Sequence, residues 1–343
     1  MKNYLFLLAI ILFAPPIFAQ VPKESVQSYE AGYEQLRIVD EARKRPVHLD
    51  VWYPTTVKEK EHNYGFSKGK VAFRANLTAK QLPIVLLSHG AMGAASNYSW
   101  LAEYLSRRGY LVLGVSHFGE SMVFGLDSIN PASVTRFGDR TRDLNFALEY
   151  LIEKSKYAPN LDANRIGAIG HSLGGASVLM INGAEFSAKN LAQYCVRQKT
   201  SIKDRGCAYG RTVEVDEQRV VPAKSTRSFK ALVALDPAVG KGFAKNALKT
   251  VATPTLIIGS VKNDFLPFNS HAGYLAKRIK NSEVVKLGNG EGHFVYLDEC
   301  NLPITAMGIP LCIDGKGVDR NAVHLKLAGT IEQFLSRQFS FGK

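Results

Sequence analysis

The segment Ile166-Gly167-Ala168-Ile169-Gly170-His171-Ser172-Leu173-Gly174-Gly175 decides how this chain is read. A short apolar run ends in G-x-S-x-G, and a helical run from Ala176 to Met180 follows. Strand, sharp turn and helix in that order present a serine at the carboxyl edge of a parallel sheet. The turn is tight enough that only small residues fit two positions before and two after the serine, and Gly170 and Gly174 stand there. Ser172 then lies at the positive end of the helix that follows.

A serine hydroxyl becomes a nucleophile when a base takes its proton, so a histidine has to meet it in space. Of the eight histidines, His293 has the right setting, in Gly290-Glu291-Gly292-His293-Phe294 after the last strand-like run. The chain order is then Ser, acid, His. His171 and His89 read as structural, and the other five as surface or core residues. The acid orients the imidazole and stabilises its charged form, and two carboxylates compete for that role. Asp264 follows the run Thr255 to Ile258, and Asp236 follows Leu232 to Leu235, both at carboxyl ends of strands. Asp264 is the expected acid, with Asp236 its rival. Main-chain N–H groups of Leu173 and Ala91 are the expected donors to a developing oxyanion, Ala91 lying in the loop Ser88-His89-Gly90-Ala91-Met92-Gly93.

Outward from this turn, apolar strand-like runs alternate with amphipathic helical ones, which predicts an α/β fold with a doubly wound, mostly parallel sheet. Val47 to Pro54 alternates and stops at proline, as an edge strand does. Buried strands are expected at Leu82–Ser88, Leu111–Val115, Ile166–Ile169, Ala231–Leu235 and Thr255–Ile258, with a last strand at Val284–Leu287. Helices are expected at Trp100–Arg108, Arg140–Lys154 and Ala322–Phe334. Thr55 to Gln81 is polar and reads as a surface excursion. A long insertion, about Ala184 to Phe229, reads as a lid over the site. With no repeat or linker-like tract, residues 20–343 read as a single domain.

Residues 1–19 read as a signal peptide: Lys2, an apolar run from Tyr4 to Ala14 too short to span a bilayer, and Ile17-Phe18-Ala19 before a cut. An uncleaved anchor is the competing reading, because Ile17 is not small. Export, to a periplasmic or extracellular location, fits the four cysteines. They fall in two equally spaced local pairs, and Cys195–Cys207 with Cys300–Cys312 is the favoured connectivity. The 343 residues carry 43 Lys+Arg against 30 Asp+Glu, a net charge of +13, and 46% are hydrophobic, which excludes a disordered or collagen-like chain. The basic residues are scattered, so no nucleic-acid partner is expected, although approach to an anionic membrane surface fits the charge. No cofactor or metal motif occurs: there is no His-Glu-x-x-His, and Gly288-x-Gly290-x-Gly292 precedes a histidine, not a helix. A monomer is expected.

Several motifs together resemble the α/β-hydrolase superfamily, and within it the platelet-activating-factor acetylhydrolase and dienelactone-hydrolase-like group. They are Trp52-Tyr53-Pro54, Leu87-Ser88-His89-Gly90, Ser116-His117-Phe118-Gly119, Arg140-x-x-Asp143, Gly170-His171-Ser172-Leu173-Gly174-Gly175 and Gly292-His293. The resemblance implies Ser172 as nucleophile, His293 as base, and Ala91 with Leu173 as oxyanion donors. It leaves the acid open, since acetylhydrolase-like members place it as at Asp236 and dienelactone and polyester hydrolases as at Asp264. Dienelactone hydrolases proper use cysteine where this chain has Ser172. The implied activity is hydrolysis of small-molecule or lipid carboxylic esters through an acyl-enzyme. An acyltransferase or amide-cleaving relative and a non-catalytic binding protein are the alternatives.

Overall fold

The computed structural model describes residues 29–198, 204–210, 217–300 and 302–340. The expected signal peptide, and residues 199–203 and 211–216 of the insertion, lie outside the described residues. The strands are β1 (Glu30–Asp40), β2 (Arg45–Thr55), β3 (Lys60–Asn63), β4 (Lys68–Phe73), β5 (Leu82–Ser88), β6 (Leu111–Ser116), β7 (Leu161–His171), β8 (Ala231–Leu235), β9 (Thr255–Ser260) and β10 (Ser282–Leu287). They form one sheet in the order β10-β9-β8-β7-β5-β6-β2-β1-β4-β3, and β11 (Thr305–Ala306) pairs with β12 (Ile309–Pro310) in a separate small hairpin. From β6 to β10 every neighbouring pair is parallel, whereas β2 runs antiparallel to both β1 and β6.

The central strands are apolar throughout because both faces are covered. On β5, Ile84 and Leu86 join one apolar cluster and Val85 and Leu87 the other, following the two-residue period of a strand. The first cluster takes in α2 (Phe137–Glu153) and α3 (Leu173–Ile181). The second takes in α1 (Ser99–Ser106) and a long C-terminal helix, Arg320–Ser340. In α2 the residues Leu144, Ala147, Leu148 and Leu151, three or four apart, form the buried stripe.

Two expectations differ from the structure. The strand expected at an edge, β2, lies inside the sheet between β1 and β6. Its proline is tolerated because pairing with β6 ends at Trp52, before Pro54. The polar stretch after it is not a plain excursion: β3 and β4 form a hairpin that extends the sheet, with Gly32 and Tyr33 of β1 in parallel register with Ala72 and Phe73. Tyr33 draws it in, packing on Trp52 and Tyr64 with ring centroids 5.2 and 5.1 Å away.

Both disulfides are formed, Cys195–Cys207 and Cys300–Cys312, each with Cα atoms 5.2 Å apart. Among the described residues no cysteine is free, no helix is long and apolar enough to cross a membrane, and no cluster of three metal-ligating side chains occurs.

Candidate active site

Ser172 is the hinge between β7 and α3, and its backbone shows the strain of that turn: φ is +55° and ψ −118°. A left-handed φ at a residue that is not glycine costs about 1–3 kcal/mol and persists where its surroundings enforce it. A Cβ at Gly170 would overlap the backbone of Gly174, and a Cβ at Gly174 would overlap the carbonyl of Ser88, so both glycines are steric requirements. The Ser172 N–H donates to the Leu235 carbonyl at 2.9 Å, which ties the elbow to β8.

The structure brings His293 to this serine. Its Nε2 lies 2.9 Å from Ser172 Oγ across 121 residues of sequence. Burial pushes the His293 imidazole down to about 3, against the nearby Asp264 charge, so at neutral pH the ring is uncharged and able to accept a proton. Phe265 stacks on it at 5.1 Å and 12°.

The two candidate acids are separated by their targets. Asp264, the expected acid, does not face the imidazole; its Oδ1 accepts the main-chain N–H of His293 at 2.8 Å. Asp236 Oδ2 lies 3.5 Å from His293 Nδ1. It is fixed there by the Ser260 N–H at 2.9 Å and the Asn263 amide at 2.6 Å. β8 runs straight into Asp236, which has a φ of +38°, so its side chain reaches inward, whereas Asp264 sits further along its loop. Burial raises the Asp236 carboxyl above the usual carboxylate range, opposed by the Ser260 N–H. A desolvated carboxylate gains most when a cation forms beside it, which is the situation when His293 takes a proton.

Gly90 approaches the nucleophile closely: a Cβ there would be 3.3 Å from the Ser172 Cβ. Ala91 lines the same cavity as Ser172 and His293, and Leu173 opens α3 beside the serine. The loop carrying Ala91 is anchored by Arg140, part of a motif read only as a mark of resemblance, and by Glu120, which carried no sequence signal. Glu120 accepts the Met92 N–H at 3.3 Å and pairs with Arg140 Nη1 at 2.6 Å, both side chains about 1% exposed. Arg140 also donates to the His89 carbonyl. The Arg140-x-x-Asp143 motif thus underpins this loop: Asp143 takes Arg45 Nε at 2.8 Å and His117 Nδ1 at 3.1 Å.

His171 is structural and more specific than that word suggests. The Gly90 N–H donates to Tyr98 Oη at 3.0 Å, the Tyr98 hydroxyl to His171 Nδ1 at 2.8 Å, and His171 Nε2–H to the His293 carbonyl at 3.0 Å. The direction is fixed, since an amide at one end only donates and a carbonyl at the other only accepts. Tyr98 and Asn263 carried no sequence signal of their own; Asn263 was legible only as a neighbour of Asp264.

The cavity over Ser172 holds about 1040 Å³. Its walls include the rings of Tyr64, Phe66, Phe265 and Phe294, and among the described residues that line it there is no Asp, Glu, Lys or Arg. The cover comes from the segment stapled by Cys300–Cys312, through Leu302, Ile304, Thr305, Ala306, Met307 and Leu311. The insertion expected as a lid contributes Ala208, and its helix α4 (Ala188–Arg197) buries Leu191, Tyr194 and Cys195 in the main core.

No family model matches the sequence. A cutinase from Thermobifida alba is 25% identical over 163 residues, 47% of this chain and 48% of that protein. A bis(hydroxyethyl) terephthalate hydrolase from Streptomyces coelicolor is 24% identical over 209 residues, 61% of this chain and 48% of that protein. The chain thus spans about half the length of the curated relatives it matches. In structure it resembles a ferulic acid esterase from Streptomyces cinnamoneus, with a TM-score of 0.57, 18% identity, and 93% of this chain and 92% of that one covered. These relatives support the superfamily and not the narrower acetylhydrolase and dienelactone-hydrolase-like group. The likeness to these ester hydrolases, together with the mostly parallel sheet between flanking helices, gives the chain an α/β-hydrolase fold.

Proposed function

We propose that the protein is a serine hydrolase of carboxylic esters, with Ser172 as nucleophile, His293 as base, Asp236 in place of the expected Asp264 as acid, and the N–H groups of Leu173 and Ala91 as oxyanion donors. The observation that carries this reading is the 2.9 Å contact between His293 Nε2 and Ser172 Oγ at the floor of a mostly apolar cavity. Ser172 Oγ attacks the ester carbonyl as its proton passes to His293 Nε2, and Asp236 stabilises the imidazolium. The tetrahedral intermediate collapses, the leaving alcohol takes the proton from His293, and an acyl group remains on Ser172. Water, activated by the same nitrogen, then releases the acid.

The lining favours neutral esters with aromatic or other bulky apolar groups, because a charged acyl group would meet no counter-charge among the described wall residues. Relatives named for terephthalate and ferulic acid esters agree with that class. Two disulfides and the apolar N-terminal run support export. The test is a p-nitrophenyl ester assay: a burst of nitrophenol and labelling by a fluorophosphonate are expected, both abolished in Ser172→Ala. Unlabelled wild-type protein without esterase activity overturns the proposal.

A further inference from the structure

A second buried Asp–His pair lies behind the first. His271 Nε2 is 2.9 Å from Asp204 Oδ2, both side chains are 2–3% exposed, and the Tyr194 hydroxyl donates to the same oxygen at 2.7 Å. The other oxygen, Oδ1, accepts the Gly206 N–H at 3.0 Å. The proton positions are set by the neighbours: the Gly240 N–H points at His271 Nδ1 at 3.4 Å, so the ring's own N–H is on Nε2 and faces Asp204. Neither Asp204 nor His271 lines the catalytic cavity.

The two residues join segments far apart in the sequence. Asp204 belongs to the insertion, within the loop closed by Cys195–Cys207. His271 ends the stretch after β9 that carries Asn263, Asp264 and Phe265. A further bond runs alongside, from the Arg205 N–H to the Phe265 carbonyl at 3.0 Å. Each group on the clamped stretch then acts on the base or the acid. Asn263 receives the N–H groups of Phe265 and Leu266 on its Oδ1 at 2.8 and 2.6 Å, which turns its amide toward Asp236 Oδ2. The Phe265 ring lies flat on the His293 imidazole, and Asp264 holds the His293 main chain.

We propose that Asp204 and His271 are a positioning pair, by which the stapled insertion fixes residues 263–271 and through them the rotation of the His293 ring. This rests on the reading of Ser172 and His293 as nucleophile and base. The insertion thereby serves the chemistry from behind the base. Because the pair is remote from the cavity, its loss moves the catalytic groups and leaves the substrate walls in place. A misplacement of about 1 Å costs roughly 100-fold in rate.

The test compares kcat, KM and the rate of fluorophosphonate labelling in Asp204→Ala, Asp204→Asn, His271→Ala and the double alanine variant. Asp204→Ala and His271→Ala are each expected to lower kcat and labelling roughly 10- to 100-fold with KM within about twofold. Asp204→Asn, which keeps one of the two acceptor oxygens and sets an NH2 group against the other donor, recovers only part of the loss. The double variant is no worse than either single one, because both break the same clamp. Should the alanine variants fail to fold, Tyr194→Phe carries the test, with a smaller fall in kcat at unchanged KM. Wild-type kcat in folded variants, a loss confined to KM, or fully additive losses overturn the clamp. Absence of labelling in the wild type instead overturns the underlying hydrolase reading.

Discussion

Asp264 holds the main chain of His293 and not its ring: Oδ1 takes the backbone N–H at 2.8 Å, leaving the imidazole Nδ1 to Asp236 at 3.5 Å. The two carboxylates therefore separate in mutagenesis. Asp236→Asn removes the charge that stabilises the imidazolium, and kcat for a p-nitrophenyl ester is expected to fall by about 10⁴. Asp264→Asn retains an acceptor for the N–H and is expected to stay within about tenfold of wild type. Equal losses, or the larger loss at Asp264, contradict the assignment.

The elbow makes a stability prediction. Ala at position 170 or 174 places a methyl group inside backbone atoms of Gly174 or Ser88, which cannot rotate away as a side chain does. Gly170→Ala and Gly174→Ala are each expected to cost about 3 kcal/mol or more, beyond the usual overpacking penalty, read as a fall in the denaturation midpoint. A variant as stable as wild type shows that the turn has slack that the structure does not.

What was readable in advance follows from how local each signal is. The nucleophile turn is contiguous, so Gly170, Ser172 and Gly174 specify it, and β5, β6, β8 and β9 announce themselves as apolar runs because both faces are buried. His293 stood out through its glycines. The acid did not, since Asp236 and Asp264 both follow strands and only the path of each loop decides which oxygen meets the ring. The hairpin of β3 and β4 was equally silent: its exposed residues do not alternate, and pairing depends on Tyr33 of a distant strand. The share of the loop closed by Cys300–Cys312 in the cavity wall was silent for a similar reason: segment length pointed to the long insertion, and among the described residues Leu302 to Leu311 also line the cavity.

Arg140 and Glu120 give a different test, because neither touches the cavity. Both are fully buried, and together they hold the His89 carbonyl and the Met92 N–H on either side of Ala91. Arg140→Met leaves the Glu120 carboxylate buried without its partner, and breaking such a pair costs about 3–5 kcal/mol. Urea denaturation is expected to show a loss of that size, with kcat reduced in whatever protein stays folded. A loss below about 1 kcal/mol argues that the pair is solvated.

His324 supplies the pH dependence. It stacks on Trp100 at 4.0 Å, and burial lowers it to about 4 while the hydrogen bond to the Val295 carbonyl works against the shift. Its folded value is below the unfolded value of about 6.5, so between those limits the unfolded chain binds more protons and stability falls as the pH falls. Across 2.5 pH units this amounts to about 3 kcal/mol. In His324→Gln that term is absent. The stability difference between wild type and variant is expected to shrink by about that amount from pH 7 to pH 4, and a difference independent of pH rules the mechanism out.

The staple over the cavity separates substrate size from chemistry. Closing a loop of 12 residues restricts the unfolded chain by about 3 kcal/mol in the loop-entropy account, so Cys300→Ser with Cys312→Ser lowers overall stability. In the native state the same change loosens Leu302, Ile304 and Met307, three apolar wall residues that are already 39–44% exposed. None of them contacts Ser172 or His293 through a hydrogen bond, so the catalytic geometry stays as it is. An acetyl ester too small to reach the cover is expected to keep its kcat/KM within about twofold, while a bulky aromatic ester loses about 1–2 kcal/mol of binding, roughly 5- to 30-fold in KM. Equal losses on the two esters place the effect of the staple on the base loop that precedes it and not on the pocket.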